Sequence, residues 1–338
     1  MTYEVLGITV LWLFLYGYLI VASIDFGAGF FSYYSKRTNK NHLIDSIIQR
    51  YLSPVWEVTN VFLVFFFIGI VGFFPDTAFY YGSALLIPGS VAIILLAIRG
   101  SYYAFNTYGA EESSFYSFLY GATGLLIPAS LTTVLTISEG GYISIADNGD
   151  VSLLYGELFT SGYSWGVVIL AVVSVLFISA VFLTYYADRA KDKNALALLR
   201  KYALTWAAPS ILMGIIVFVL LGERNPEHFS GMMDLWWMFA VSFAAFLGTV
   251  YFIWKQKRLG LAVILMMVQY FAAFFAYGAS HLPYLLYPHL TIYDGFTNES
   301  MAIALVTAFI AGLLLLIPSL YLLMRLFLFD ADYVEGRR

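Results

Sequence analysis

Apolar runs of about twenty residues, the length that crosses a ~30 Å hydrocarbon core as a helix, follow one another along this whole chain. In lipid every backbone N–H and C=O must be satisfied within the chain, so only helices and closed barrels can span. Barrel strands alternate apolar and polar residues, and these runs do not. The chain reads as an all-α polytopic membrane protein. The runs give nine transmembrane helices, at roughly 4–34, 53–74, 78–103, 113–138, 163–187, 202–222, 233–254, 259–282 and 302–328. No segment between them is long enough for a soluble catalytic domain, so any chemistry belongs in the membrane or on a partner.

Composition narrows the function further. Only 11% of the 338 residues are charged, against about 25% in a soluble domain. There is no cysteine, which excludes disulfides, iron–sulfur ligation and thiolate metal sites. A net charge of −4 offers nothing to nucleic acid. "MTYEVLG" has no basic region ahead of its apolar run, so the first run is expected to be a retained helix and not a cleaved signal.

Basic residues set the direction. Lys36, Arg37, Lys40 and Arg50 follow the first span, and Arg99 ends the third. Arg189, Lys191, Lys193, Arg200 and Lys201 follow the fifth; Lys255, Lys257 and Arg258 follow the seventh; Arg325, Arg337 and Arg338 close the chain. Only Arg224, of the 17 basic residues, falls on the other side. The N-terminus is therefore expected outside and the C-terminus in the cytoplasm, which requires an odd number of spans. The outer segments 139–162 and 283–301 are long enough to fold on themselves.

"YYSKRTNKNHLIDSIIQRY" (33–51) resembles "YYADRAKDKNALALLRKY" (185–202). Four spans restore the same orientation, so the halves would be parallel copies. The expected architecture is two four-helix bundles, 1–138 and 163–282, plus a peripheral ninth helix and cytoplasmic tail, 302–338. Pro88, Pro128, Pro209 and Pro318 lie inside spans, three of them in "LLIP". They read as packing bends, with a broken helix around a solute as the rival. In the fourth span Ser130, Thr132, Thr133, Thr136 and Ser138 are expected to bond back to their own helix, with a proton or water track along Thr132, Thr136 and Glu139 as the alternative.

The ionisable residues within the spans carry the functional argument. Asp25, counted from residue 4 at 1.5 Å per residue, lies roughly 30 Å down the first helix, near the cytoplasmic edge. Its helix face is Ala22, Asp25, Ala28, Gly29 and Ser32, small enough for another helix to approach closely. An acid at a span centre costs about 3 kcal/mol on insertion scales, so Asp25 is expected to face protein. Glu57 opens the second span beside the interfacial Trp56 and shares a face with Asn60; Arg99 ends the third. All fall at one depth on successive helices. Arg99 would serve as charge partner in a structural ion cluster, or Asp25, Glu57 and Asn60 would begin a proton pathway through an acid of raised pKa. His42, His228, His281 and His289 all lie in loops or at span ends, so no haem held between facing histidines is expected. No zinc-spaced motif is present, and no metal site is expected.

These residues resemble a family. "IDFGAGF" is similar to the F-D-x-G-x-G segment near the start of subunit II of cytochrome bd-type quinol oxidases, with Asp25, Gly27 and Gly29 in the matching places. "WEVTNVFL" resembles that family's W-D-G-N-E/Q-V-W-L: Trp56, Val61 and Leu63 match, and Glu57 stands where the family has Asp. "RGSYYAF" is similar to R-G-x-x-F-E-F through Arg99, Gly100 and Phe105, with Tyr103 in place of Phe. Val58, Thr59 and Asn60 replace Gly, Asn and Glu or Gln, and Ala104 replaces Glu. A family path through that Glu is therefore not expected, whereas one through Asp25 and Glu57 is.

The resemblance implies a bacterial plasma-membrane complex that oxidises quinol and reduces dioxygen to water, drawing protons from the cytoplasm. It places haems b and d in a partner, subunit I, and makes this chain a haem-free half with no cofactor of its own. The chain would support subunit I through an apolar interface amid membrane lipid, and conduct protons or admit oxygen. The small residues Gly27 and Gly29 would let neighbouring helices approach. A small single-span accessory subunit is compatible. Two rival readings are a secondary transporter with parallel four-helix repeats, which calls for a polar site at mid-depth, and a purely structural scaffold.

Overall fold

The structure, a computed structural model, describes residues 2–107, 114–147 and 149–327, and their side chains except those of 41–43, 45–46, 49–58, 103–107, 114, 324 and 326–327. The first part of the chain forms α1 (Tyr3–Arg37), α2 (Asn41–Phe73), α3 (Pro75–Ala84), α4 (Leu86–Thr107), α5 (Ser114–Leu131) and α6 (Thr133–Ser138). A hairpin of β1 (Ile143–Ile145) and β2 (Val151–Leu153), then α7 (Tyr155–Thr160), lead to the second part. There follow α8 (Gly162–Arg189), α9 (Lys193–Arg224), α10 (Pro226–Asp234), α11 (Trp236–Lys255) and α12 (Leu259–His281). A second hairpin, β3 (Tyr284–Leu286) and β4 (Leu290–Thr291), precedes α13 (Glu299–Phe327).

Among the described residues seven helices are long and apolar enough to cross a membrane. The second predicted run meets that test only as Thr59–Phe73 together with α3, from which it bends by 119°. The third falls on the shorter apolar stretch Leu86–Tyr102. The apolar run 78–103 is thus not one helix: it begins inside α3 and breaks at Leu85 (φ −93°, ψ 12°). Likewise 233–254 begins inside α10 and breaks at Leu235 (φ −97°, ψ 20°). Hydropathy does not register a bend when both limbs are apolar.

Proline makes the bends that open α3 and α10. A proline inside a helix loses a hydrogen bond and clashes with the carbonyl four residues back, and it drives the preceding residue out of the helical region. Phe74 before Pro75 has φ −132°, ψ 67°. Asn225 before Pro226 has φ −138°, ψ 84°. Each proline then opens a new helix, where its missing N–H is not needed. The course α2–α3–α4 therefore recurs as α9–α10–α11. Pro88 sits in the first turn of α4 and not mid-helix; Pro128, Pro209 and Pro318 lie inside α5, α9 and α13. After Pro128 the chain re-forms at Thr132, whose hydroxyl donates to Pro128 O at 2.9 Å. Thr133 and Ser138 also bond back, to Ser130 O and Leu135 O.

The largest core cluster draws on both halves: Ile20, Ile24 and Phe31 of α1, Ile44 and Ile47 of α2, and Leu176–Ala187 of α8 pack with Leu199, Phe246 and Met266. At its centre α1 meets α8, where Ser179 Oγ donates to Ile24 O at 2.8 Å. Of the spans, α8 is the most buried and α13 the least; α13 lies on α2 and α1 through Phe309, Phe65 and Phe14. Trp12 donates to Phe274 O and Tyr16 to Met267 O, so α12 runs antiparallel to α1 and its C-terminus reaches the end that carries the N-terminus. Both hairpins fold at that end, around a small core of Ile137, Tyr142, Leu153, Leu158 and Leu286.

Candidate functional site

Asp25 is 2% exposed and Arg99 1%. Arg99 Nε donates to Asp25 Oδ2 at 2.9 Å, and a terminal nitrogen donates to the Asp25 backbone carbonyl at 2.7 Å. The other terminal nitrogen donates to Tyr120 O at 2.9 Å and to Thr123 Oγ1 at 3.4 Å. The guanidinium carbon lies 4.2 Å from the Tyr120 ring centre and 5.2 Å from that of Phe26. One side chain from α4 thereby ties α1 to α5. A buried ion pair holds only when the remaining donors find partners, and the planar five-donor fork of arginine suits that task.

Small residues make the approach feasible. A Cβ on Gly29 would lie 2.9 Å from Tyr120 O and 3.0 Å from both terminal nitrogens of Arg99. One on Gly27, on the other side of α1, would lie 2.4 Å from Ser179 Cβ and 2.8 Å from Val175 O. Gly124 answers from α5, where a Cβ would meet Phe26 O at 2.2 Å. The two glycines after Asp25 thus serve two neighbours, α8 at Gly27 and α5 with Arg99 at Gly29. The expected face of Ala22, Asp25, Ala28 and Ser32 is buried. Asn60 is half-buried on α2. Glu57 belongs to the helical backbone of α2, and its side chain, like that of Trp56, lies outside the described ones.

Toward the N-terminal end of the bundle a second polar cluster closes around Glu139. This residue follows α6 and is 1% exposed. His228 Nδ1 lies 2.9 and 3.0 Å from its two carboxylate oxygens, and Asn225 Nδ2 donates to Oε2 at 2.9 Å. The Tyr277 hydroxyl donates to Oε1. His281 Nδ1 stands 3.8 Å from Oε1 and 3.3 Å from His228 Nδ1. Burial pushes the Glu139 carboxyl up, but the His228 hydrogen bond, both histidines' charge and the Tyr277 phenol together hold it below the usual carboxylate range. Local sequence builds this geometry. Asn225 caps α10 by accepting from His228 N at 3.1 Å. Gly140 (φ 82°) and Gly141 (φ 74°) turn the chain directly after Glu139, and Arg224 donates to Gly140 O while lying 4.1 Å over the Tyr142 ring.

Sequence spacing did not reveal this cluster, because its members are 89 and 53 residues apart. The available signal was positional: Glu139, His228 and His281 all close or follow spans on the side opposite the basic loops. No metal site was expected from the sequence, yet these three groups offer donor atoms all within 4.8 Å of one another. The two histidines cannot together hold a haem iron from opposite faces, because their facing Nδ1 atoms are 3.3 Å apart and Glu139 occupies the space beside them. His289 is exposed in the β3–β4 turn.

Comparisons with known proteins agree along the whole chain. The family model described as cytochrome bd terminal oxidase subunit II matches residues 3–327. The putative cytochrome bd menaquinol oxidase subunit II of Bacillus subtilis (strain 168) is 35% identical over 345 aligned positions, covering 99% of this chain and 98% of that protein. A chain in the structure of the bd oxidase from Geobacillus thermodenitrificans superposes with a TM-score of 0.85 at 64% identity, covering 98% of this chain and 100% of that one. The chain belongs to the cytochrome bd terminal oxidase subunit II family, as a multi-pass component of a respiratory-chain oxidoreductase in the bacterial plasma membrane.

Proposed function

We propose that this chain is the haem-free half of a quinol:oxygen oxidoreductase, and that it carries protons from the cytoplasm toward a haem-bearing subunit I. Nine crossings, an outer N-terminus and a cytoplasmic C-terminus follow from the basic-residue bias, with Leu86–Tyr102 as the third crossing. In this reading residues 1–138 and 163–282 are two parallel four-helix bundles, and 302–338 forms a peripheral ninth helix with its tail. The recurrence of α2–α3–α4 as α9–α10–α11 supports that division. Menaquinol, named for the Bacillus subtilis relative, is the substrate class assigned to the complex. The poor fit of His228 and His281 to haem iron supports leaving haems b and d to the partner.

The proton pathway begins at Glu57, Asn60 and Asp25. The observation that carries it is the Tyr18 hydroxyl. It lies seven residues before Asp25, on the same face of α1, and has no hydrogen-bond partner among the described residues. A buried polar atom in that position calls for water, which would continue a route inward from the acid. Arg99 fixes the orientation of Asp25, and Glu57 is the second acid of the route.

A second reading has its own observation. Every nitrogen of Arg99 is engaged, and its rings and partners leave it fully enclosed, as a purely structural pin requires. Asp25→Asn in the assembled oxidase separates the two. The pathway predicts slowed oxygen reduction and proton uptake at an unchanged haem spectrum. The pin predicts a less stable complex whose surviving molecules turn over at the wild-type rate. Uptake of a solute by this chain alone would support the transporter reading instead.

A further inference from the structure

We propose that Glu139, His228 and His281 form a binding site for a divalent transition-metal ion of the zinc class, held by the Nδ1 atoms of both imidazoles and one carboxylate oxygen.

Proton accounting leads to it. His228 Nε2 lies 3.0 Å from Tyr277 O, a carbonyl that can only accept. Its other neighbour, Ser280 Oγ at 2.9 Å, spends its own hydrogen on Ala276 O or Tyr277 O. Nε2 therefore carries a hydrogen, and Nδ1, which faces two carboxylate oxygens and His281 Nδ1, is the ring atom left to take either a proton or a metal ion. Lone pairs converging on one point need a positive centre between them. One proton bridges two atoms; here three donors converge.

The distances suit an ion. Zinc at 2.0–2.1 Å from nitrogen and oxygen donors in a tetrahedron sets ligand atoms about 3.3 Å apart. The three separations, 2.9, 3.3 and 3.8 Å, straddle that value. Two imidazoles and one carboxylate are a zinc donor set that leaves a fourth position for water. Outer partners of a metal site are in place for two of the three ligands: Tyr277 O holds the His228 ring, while Asn225 Nδ2 and the Tyr277 hydroxyl hold the carboxylate; His281 Nε2 has no hydrogen-bond partner among the described residues. His281 is the most exposed of the three side chains, at 10%, and marks the side through which an ion would arrive. The ligands come from the end of α6, from α10 and from the last residue of α12, so a bound ion would clamp three elements of the extramembrane cap. The site is independent of the proton pathway, which lies toward the other end of α1.

The test uses the intact oxidase complex. It is stripped with a chelator, incubated with Zn²⁺ at micromolar free concentration, desalted and assayed for zinc against haem. The expected result is about one zinc retained per complex, bound through two imidazoles and a carboxylate by zinc K-edge X-ray absorption. His281→Gln, checked for assembly by its haem spectrum, should lose that zinc. Retention of no zinc by the wild type would overturn the site and leave a protonated His228–Glu139 ion pair. Zinc held without two imidazoles, or held equally by an assembled His281→Gln complex, would also overturn it. If His281→Gln fails to assemble, the wild-type stoichiometry and absorption spectrum decide alone.

Discussion

Arg99 Nε and Asp25 Oδ2 are 2.9 Å apart across 74 residues of sequence, and neither side chain is more than 2% exposed. The pair joins α4 to α1, and the other arginine nitrogens reach α5. Three helices are therefore locked at one level by a single charged group, at the place where Gly27 and Gly29 thin the wall of α1.

Such a pair is costly to break from one side. Removing one partner of a buried ion pair leaves an uncompensated charge and costs about 3–5 kcal/mol, whereas replacing both with apolar groups can be neutral. Arg99→Met alone should sharply lower the unfolding temperature of the complex, and the Asp25→Leu, Arg99→Met double variant should recover most of the loss. Thermal melts of four purified complexes, wild type, Asp25→Leu, Arg99→Met and the double variant, check this through the coupling between the two changes.

The sequence made the inner cluster legible because its signals are local and each has a sign. An acid within an apolar run, small residues at helical spacing around it, and a lone arginine ending a later run all point inward at one depth. The Glu139 cluster was illegible for the opposite reason: Glu139, His228 and His281 each look ordinary at a span end, and only the fold brings them together. The spans expected at 53–74 and 202–222 stop beside Pro75 and Pro226, where the chain bends, whereas the breaks at Leu85 and Leu235 lie inside the expected runs 78–103 and 233–254. Hydropathy averages over both limbs of a bent helix, so a break between two apolar limbs leaves no trace in it. Glu57 was picked out by the same logic as Asp25, but its side chain lies outside the described ones.

The start of α9 rests on one carboxylate. Asp192 accepts from Asn194 N and Ala195 N, both at 3.0 Å, satisfying two of the free donors of the first turn. Asp192→Ala should cost about 1 kcal/mol, the usual value of such a cap, and Asp192→Asn much less. Chemical or thermal unfolding of the two variants side by side distinguishes the cap from a general effect of charge.

Asp294 supplies a pH dependence. Its Oδ2 accepts from Thr291 N and Thr291 Oγ1, both at 2.7 Å, and these bonds hold the carboxyl below its ordinary value of 3.8. A carboxyl depressed on folding contributes order that is complete above its unfolded value and is lost as pH falls through its folded one. The β3–β4 loop should therefore keep its protection at neutral pH and lose it only in strong acid. Hydrogen exchange of the segment 284–294, corrected for the intrinsic pH effect, should show that transition. Asp294→Asn, which keeps an acceptor but does not titrate, should abolish it.

The contact of α1 with α8 makes the sharpest steric prediction. A methyl group at residue 27 would meet Ser179 Cβ at 2.4 Å and Val175 O at 2.8 Å, and the second of these belongs to a backbone that cannot rotate away. Gly27→Ala must push two central helices apart, an overpacking cost of about 1–3 kcal/mol. By contrast a Cβ on Gly214, inside α9, meets nothing within 4 Å. Gly214→Ala should leave stability unchanged or raise it by about 0.5–1 kcal/mol through lower backbone freedom in the unfolded chain. Adding Ser179→Gly to Gly27→Ala removes the first clash but not the second, and it also deletes the hydrogen bond to Ile24 O. The double variant should stay well below wild type in melting temperature. Full recovery would mean that the Ser179 side chain alone, and not the approach of the α8 backbone, demands glycine beside Asp25.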